Sequence, residues 1–481
     1  MAPLVLAILT FTGKHNPMID LFPDLQEILQ RVCLELISLG TAKQAKAAIK
    51  CLFSNVSTNQ GMTFSLILDV IKNKLDGRMD QGFLTAIVSL GHLAFHSPDS
   101  FSLQLKNLVS KKFVKEVMMK EATPARVGDS SWCSFHDLCI ETQIKVEGIK
   151  MMARWLLGLK TNESSAKKTL KLLNAIIENG GDLLEEGRQS PAEKAWLRLS
   201  AGCAVLKICE EKGLGNQLSR EQYCTVSGLM RDPVVCVRER FIIKLHKGLS
   251  RGVPLFGLSP DFMGLYVLAG LEMEPRLHQL ANQFMVIDIN TRREYMKTLS
   301  CDSSSLVAHI MPDYMLATAV LLLTHQSNFT SSLDVEHLKK IKLCLLFILE
   351  PLTGSNSYCS KFYLELLEKI RNHGDGSQGE NNLVTLRLWA VCDLALGIIK
   401  AKPSNKEANQ FVSSVRLPRL YTETVADSNP DSDKSDQAEI QQTAVQPITA
   451  SCMDTVWIPL ADNGHMDNLD GTSTIMEVDV V

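Results

Sequence analysis

The chain has 481 residues, 45% of them apolar and only 6% aromatic, with a formal net charge of −3. That is too apolar for a disordered chain and ample for packed cores, which Leu, Ile, Val, Met and Ala must build in place of the Val-, Thr- and Tyr-rich runs of a sheet protein. The charge is uneven: residues 403–481 hold 4 Lys/Arg against 13 Asp/Glu, and residues 1–402 hold 46 against 40, so the body is mildly basic but lacks the concentrated charge of a DNA-binding domain.

The opening stretch, Met1 to Phe11, is short and apolar. Without a basic leader or a small-residue cleavage site it reads as a truncated helix and not as a secretory signal. From there one amphipathic segment follows another with short polar breaks. The first eight cover 22–39, 41–56, 62–75, 80–96, 98–119, 141–159, 164–179 and 190–212. The next eight cover 218–230, 233–250, 258–270, 274–299, 304–325, 333–351, 356–373 and 381–401. Within 141–159, Ile144, Ile149, Met152, Trp155, Leu156 and Leu159 recur at helical spacing. Gly40, Gly180, Gly213 and the pair Gly374 and Gly376 stand where helix C-terminal caps belong.

Paired, these segments make units of about 40 residues, the period of HEAT-type repeats. The sharpest copy runs from Arg231 to Arg238. There Asp232 is placed to cap a helix and Pro233 to occupy its first turn. Val237, Phe241 and Leu245 then fall on one buried face, and Arg238 is positioned to reach carboxylates of a neighbouring unit. A second copy opens at Gly40-Thr41, with Ala45, Ala48, Ile49 and Leu52 on its inner face. The predicted fold is therefore all-α, a HEAT-repeat-like α-solenoid of paired antiparallel helices over 1–402 with a polar loop at 120–140. A disordered acidic tail is expected over 403–481. A single globular bundle is the structural alternative, but sixteen helices crowd one bundle core. Two apolar islands interrupt the tail, Val456 to Leu460 and Ile475 to Val481, and such islands are more often inert than docking motifs.

No stretch reaches the roughly 20 apolar residues of a membrane span, so no membrane partner is expected. Thirteen cysteines, an odd number set mostly in apolar helical stretches such as those of Cys33, Cys51, Cys203, Cys209, Cys344 and Cys392, point to a reducing compartment. Catalytic signatures are absent. Gly13-Lys14 lacks the upstream glycine and following hydroxyl of a phosphate loop. Cys133, His136 and Cys139 have metal-like spacing but no fourth ligand close in sequence, which favours incidental thiols in a loop over zinc. No enzyme activity, cofactor, metal or small-molecule substrate is expected.

Three basic clusters remain: Lys43, Lys46 and Lys50 one turn apart; Lys244, His246, Lys247 and Arg251; and Arg292, Arg293 and Lys297. Each one alone is what any solvated helix face presents. The first has a geometry suited to an acidic partner segment.

Several runs carry a family resemblance. They are Gly40 to Cys51, Ser89-Leu90-Gly91-His92, Ile149 to Gly158, Leu197 to Gly202, Lys244 to Leu249 and Asn290 to Tyr295. In this order, from about residue 5 to 400, they resemble the "precocious dissociation of sisters" family of HEAT-repeat cohesin regulators, and the match covers the C-terminal portion of that family's repeat array. The resemblance implies a nuclear, chromatin-associated scaffold that docks on cohesin's kleisin subunit, works with other cohesin regulators and meets chromatin indirectly. It also places the kleisin contact near the middle of the full array, at the N-terminal end of this chain, so the basic clusters become candidate partner-binding residues. A generic HEAT adaptor with a non-chromatin partner is the competing reading. The acidic tail departs from the family's long basic one, and Cys133 and Cys139 lie outside the family pattern.

Overall fold

The computed structural model describes residues 2–15, 23–55, 60–120, 130–160, 162–185, 187–252, 257–299, 310–354, 360–373, 382–402 and 415–422. Among these every regular element is helical, and no helix is long and apolar enough to cross a membrane. The chain forms two compact units, Met1–Gly248 and Leu249–Val481.

The first unit opens with α1 (Ala2–His15), α2 (Pro23–Leu39), α3 (Ala42–Asn55), α4 (Gln60–Leu75) and α5 (Gln81–His96). Next come α6 (Ser102–Asn107), a π-helix (Leu108–Met118), α7 (Ile140–Leu159), α8 (Glu163–Glu178), α9 (Pro191–Cys209), α10 (Arg220–Ser227) and α11 (Val235–Ser250). Helices α3, α5, α7 and α9 lie side by side as one layer. A second layer holds α2 beside α4 and α8 beside α10, each hairpin partner packing on its neighbour in sequence. This is the architecture of stacked helix pairs, in which each pair buries its apolar face on the next.

Local chemistry explains the boundaries. Asp80 caps α5 by accepting the Phe83 N–H at 3.0 Å. Ser190 with Glu193 and Ser219 with Gln222 form reciprocal capping boxes at α9 and α10, and Pro191 occupies the first turn of α9. Gly180 ends its helix with φ of 65°, in the left-handed region that glycine tolerates. Gly213, by contrast, falls within a single turn, Lys212–Gly215. Close approach sets other glycines: a β-carbon on Gly91 meets Met151 at 3.0 Å, and one on Gly158 meets the Ala94 carbonyl at 2.4 Å. Glycine thus lets α5 and α7 run in near contact, and residues 83–94 of α5 are buried without interruption.

The helix expected over 98–119 changes form partway. After six α-helical residues its second half is the π-helix Leu108–Met118. The described part of the expected 120–140 loop is anchored too. Trp132 stacks on Trp196 of α9 at 4.7 Å, and the Arg240 guanidinium lies 4.9 Å and 5.1 Å from the two rings.

In the second unit a 3₁₀-helix (Pro260–Leu271) stands where 258–270 was expected to be helical. After it come α12 (Pro275–Lys297), α13 (Met315–Thr324), α14 (Val335–Thr353), α15 (Ser360–His373) and α16 (Asn382–Ala401). The 3₁₀-helix packs on α13 and α14, and a β-carbon on Gly264 falls 2.2 Å from the Thr318 hydroxyl, which itself donates to the Asp261 carbonyl at 2.9 Å. Helix α13 is buried along its whole length, and α16 packs on α13, α14 and α15.

Most of the tail expected from residue 403, including both apolar islands, lies outside the described residues, as do Gly374 and Gly376. Residues 415–422 do not. Val415, Leu420 and Tyr421 are buried, the Tyr421 hydroxyl donates to the Ala317 carbonyl at 2.7 Å, and the Arg416 N–H donates to the Tyr314 hydroxyl at 3.2 Å. These residues form a short strap that completes the second core.

Candidate partner-binding site

Helix α3 begins as its sequence predicts. The Gln44 side chain accepts the Thr41 N–H at 2.8 Å while the Thr41 hydroxyl faces the Gln44 N–H at 3.4 Å, a capping pair of the Ser/Thr-x-x-Glu/Gln type. Ala45, Ala48, Ile49 and Leu52 are fully buried. Lys43 is exposed, whereas Lys46 and Lys50 are half-buried and close enough to His92 of α5 for their charges to act on it.

There the basic ridge continues. His92 of α5 is buried, and burial together with Arg154 of α7, Lys50, Lys46 and His96 depresses its pKa from 6.5 to about 2. Its imidazole is therefore neutral across the physiological range. Burial also lowers the pKa of Arg154, opposed by the nearby Glu147 carboxylate. Among the described residues His92 Nε2, Arg154 Nη1, Trp155 Nε1 and Ser89 Oγ have no hydrogen-bond partner. Lys46 and Lys50 of α3 and Arg154 of α7 thus bring their positive charge to bear on the neutral His92 of α5. Sequence reasoning missed His92 and Arg154. Their signal was present, because Gly91-His92 and Ala153-Arg154-Trp155 sit in the runs that carry the resemblance.

The other two clusters are used differently. Lys244 is buried beside Cys203, whose thiol burial pushes up to about 11 against the opposing influence of Lys244, Lys150 and Arg240. Lys247 and Arg251 are exposed. Arg292 is 3% exposed and donates to the carbonyls of Leu249 at 3.1 Å and Leu258 at 3.4 Å. Beside it Asp288 accepts from Tyr266 at 2.8 Å and Ser250 at 3.0 Å, a network that joins three segments of the second unit. Burial lowers the Arg292 pKa, partly offset by Asp288. Arg293 pairs with Asp313 at 3.2 Å and donates to the Leu352 carbonyl at 2.7 Å. Both arginines hold the second core together and do not form a surface patch with the lysines.

The Asp232 copy also differs in detail. Asp232 accepts the Val234 N–H at 2.9 Å, but the residue that reaches its carboxylate is Arg198 of α9, through two bonds of 2.7 and 3.0 Å. Arg238 donates to the Asp232 carbonyl at 2.7 Å. In the 130–139 segment the Cys139 sulfur caps α7 by accepting the Thr142 N–H, and the Cys133 carbonyl accepts from Trp196. Among the described residues no three His, Cys, Asp or Glu side chains are grouped to hold a metal.

Comparison with known proteins completes the assignment. The model of the sister chromatid cohesion protein PDS5 family matches residues 2–421. Sister chromatid cohesion protein PDS5 homolog B-B of Xenopus laevis is 32% identical over 419 residues, 87% of this chain and 28% of that protein. PDS5 homolog B of Homo sapiens gives the same figures of 32%, 87% and 28%. Human PDS5 homolog A is 29% identical over 477 residues, 98% of this chain and 35% of that protein. The chain thus spans about a third of the length of these relatives. An all-helical array built of stacked pairs, matched by this family over nearly all its folded residues, belongs to the sister chromatid cohesion protein PDS5 family.

Proposed function

We propose that this chain is a non-enzymatic scaffold that binds the kleisin subunit of cohesin, together with other cohesin regulators, and so regulates sister chromatid cohesion and cohesin dynamics on chromatin. It acts in the nucleus and meets chromatin through those partners. The observation that carries this reading is the basic row on α3, α5 and α7. Lys43 is exposed and Lys46 and Lys50 half-buried along one ridge of α3, and Arg154 of α7 adds its positive charge near the same place. Lys247 and Arg251 are secondary contact candidates, while Lys244, Arg292 and Arg293 act from the interior by holding the fold.

Immunoprecipitation from nuclear extract with an anti-kleisin antibody tests the proposal. The chain is expected to co-precipitate with cohesin subunits. Its absence from that precipitate, when it is present and folded in the extract, contradicts the reading and leaves a helical adaptor with a non-chromatin partner.

A further inference from the structure

A second surface of the first unit lies away from the basic row. Between the end of α4, the turn before α5, the π-helix and the start of α7 is an open cleft of about 950 Å³. Its floor is apolar: Met119, 46% exposed, gives it open apolar surface above the buried Leu75, Phe83 and Val117. Its rim is basic, with Arg78, Lys115 and Lys120 exposed around it.

The remaining charges of the cleft are already neutralised. Lys112 pairs with Asp76 at 3.2 Å and with Glu116 at 3.0 Å, and Glu141 pairs with Lys145 at 2.8 Å. Among the described residues no ion pair or hydrogen bond engages the side chains of Arg78, Lys115 or Lys120. The cleft therefore presents three uncompensated cations around a hydrophobic floor, and no uncompensated anion. A phosphate-rich ligand leaves such a floor unused, and an apolar ligand leaves the cations unmatched. One chemistry uses both: an extended peptide whose carboxylates meet the rim and whose large apolar side chain fills the floor.

We propose that this cleft is a second docking site, for an acidic peptide segment of a partner protein that carries an aromatic or large aliphatic anchor. It is separate from the α3–α5–α7 row and takes its partner independently of it.

Fluorescence polarisation with the full chain tests this. The probe is a labelled synthetic dodecapeptide of alternating Glu and Leu with one central Trp, and its counterpart has Lys in place of every Glu. Saturable binding of the acidic peptide alone is expected, weakened at least about tenfold by Arg78→Glu with Lys115→Glu. The milder pair Arg78→Gln with Lys115→Gln should weaken it by less, with the helical circular dichroism unchanged in both. Lys43→Glu with Lys46→Glu should leave this affinity unaltered, which separates the cleft from the kleisin surface proposed above. The proposal is overturned if the acidic peptide shows no saturable binding, or if the cleft variants bind it as tightly as the parent. It is equally overturned if the α3 variant alone loses the peptide. Binding that emerges only after residues 121–129 are replaced by a Gly-Ser linker identifies the chain's own segment as the occupant, and this too overturns it.

Discussion

The Arg198–Asp232 joint gives the sharpest test of how the first unit is held together. Asp232 is only 3% exposed at its side chain and Arg198 13% exposed, so both charges sit largely out of water. The guanidinium makes three bonds: two to the Asp232 carboxylate, at 2.7 and 3.0 Å, and one to the Gly180 carbonyl at 2.7 Å. The carboxylate also caps the chain at Val234. Asp232→Ala removes the bond to the Val234 N–H, worth about 1 kcal/mol, and strands a guanidinium whose unpaired burial costs about 3–5 kcal/mol. A total loss near 4 kcal/mol is expected after water reaches part of the site. Arg198→Ala keeps the cap and should cost about 3 kcal/mol. The double variant should fall short of the sum by about 2 kcal/mol, because removing the second partner relieves the burial penalty created by removing the first. Urea unfolding followed by tryptophan fluorescence, with Trp389→Phe and Trp457→Phe in every protein compared, reads this out, since the remaining three, Trp132, Trp155 and Trp196, lie in the first unit. A loss under about 1 kcal/mol for Asp232→Ala, or strict additivity in the double variant, refutes the reasoning.

Two further perturbations follow from the same structure. His92 is held neutral, with its folded pKa depressed from 6.5 to about 2. The unfolded chain takes up a proton below pH 6.5 and the folded one does not, so this contribution to stability is present above pH 6.5 and is lost as pH falls. Between pH 6.5 and 5 the parent should lose about 2 kcal/mol more than His92→Gln in denaturant titrations, and parallel pH profiles for the two proteins count against it. Ending the chain at Lys402 removes the buried side chains of Val415, Leu420 and Tyr421 and the hydrogen bonds to Ala317 and Tyr314. The second unit should lose about 3–5 kcal/mol, and limited proteolysis of the full chain should stop beyond Thr422; a protease-resistant core ending at Lys402 means the strap contributes nothing.

Much of this architecture is legible in the amino-acid order because helical periodicity is a local signal. The buried faces of α3 and α11 are the predicted ones, with Ala45, Ile49, Val237 and Phe241 fully enclosed. Thr41 and Gly180 end or begin their helices through chemistry contained within a few residues. What escapes is set by contacts distant in sequence. Arg198 meets Asp232 across 34 residues, so no local pattern shows which arginine will pair. Arg292 looks like a surface cation in its own helix, yet the carbonyls of Leu249 and Leu258 draw it inside. The strap is invisible for a similar reason: a few apolar residues in a polar stretch acquire meaning only against the Ala317 and Tyr314 surface. The changes of helix type escape as well: Leu108–Met118 shows an apolar period close to that of an α-helix, and Pro260–Leu271 is apolar nearly all round, so neither pattern tells a π- or 3₁₀-helix from an α-helix.

The central claim is that the basic row led by α3 receives the kleisin, and one affinity measurement tests it directly. Purified chain is titrated against the purified kleisin subunit by calorimetry at about 0.15 M salt, with the parent compared to Lys43→Glu with Lys46→Glu. Each exposed ion pair is worth only about 0–1 kcal/mol, but reversing two charges adds like-charge repulsion and should weaken binding by about 1–3 kcal/mol. The expected result is a parent complex that loses roughly tenfold to a hundredfold in affinity in the variant while both proteins keep the same circular dichroism spectrum. Equal kleisin affinity for the two proteins, or no measurable binding by the parent, contradicts the account.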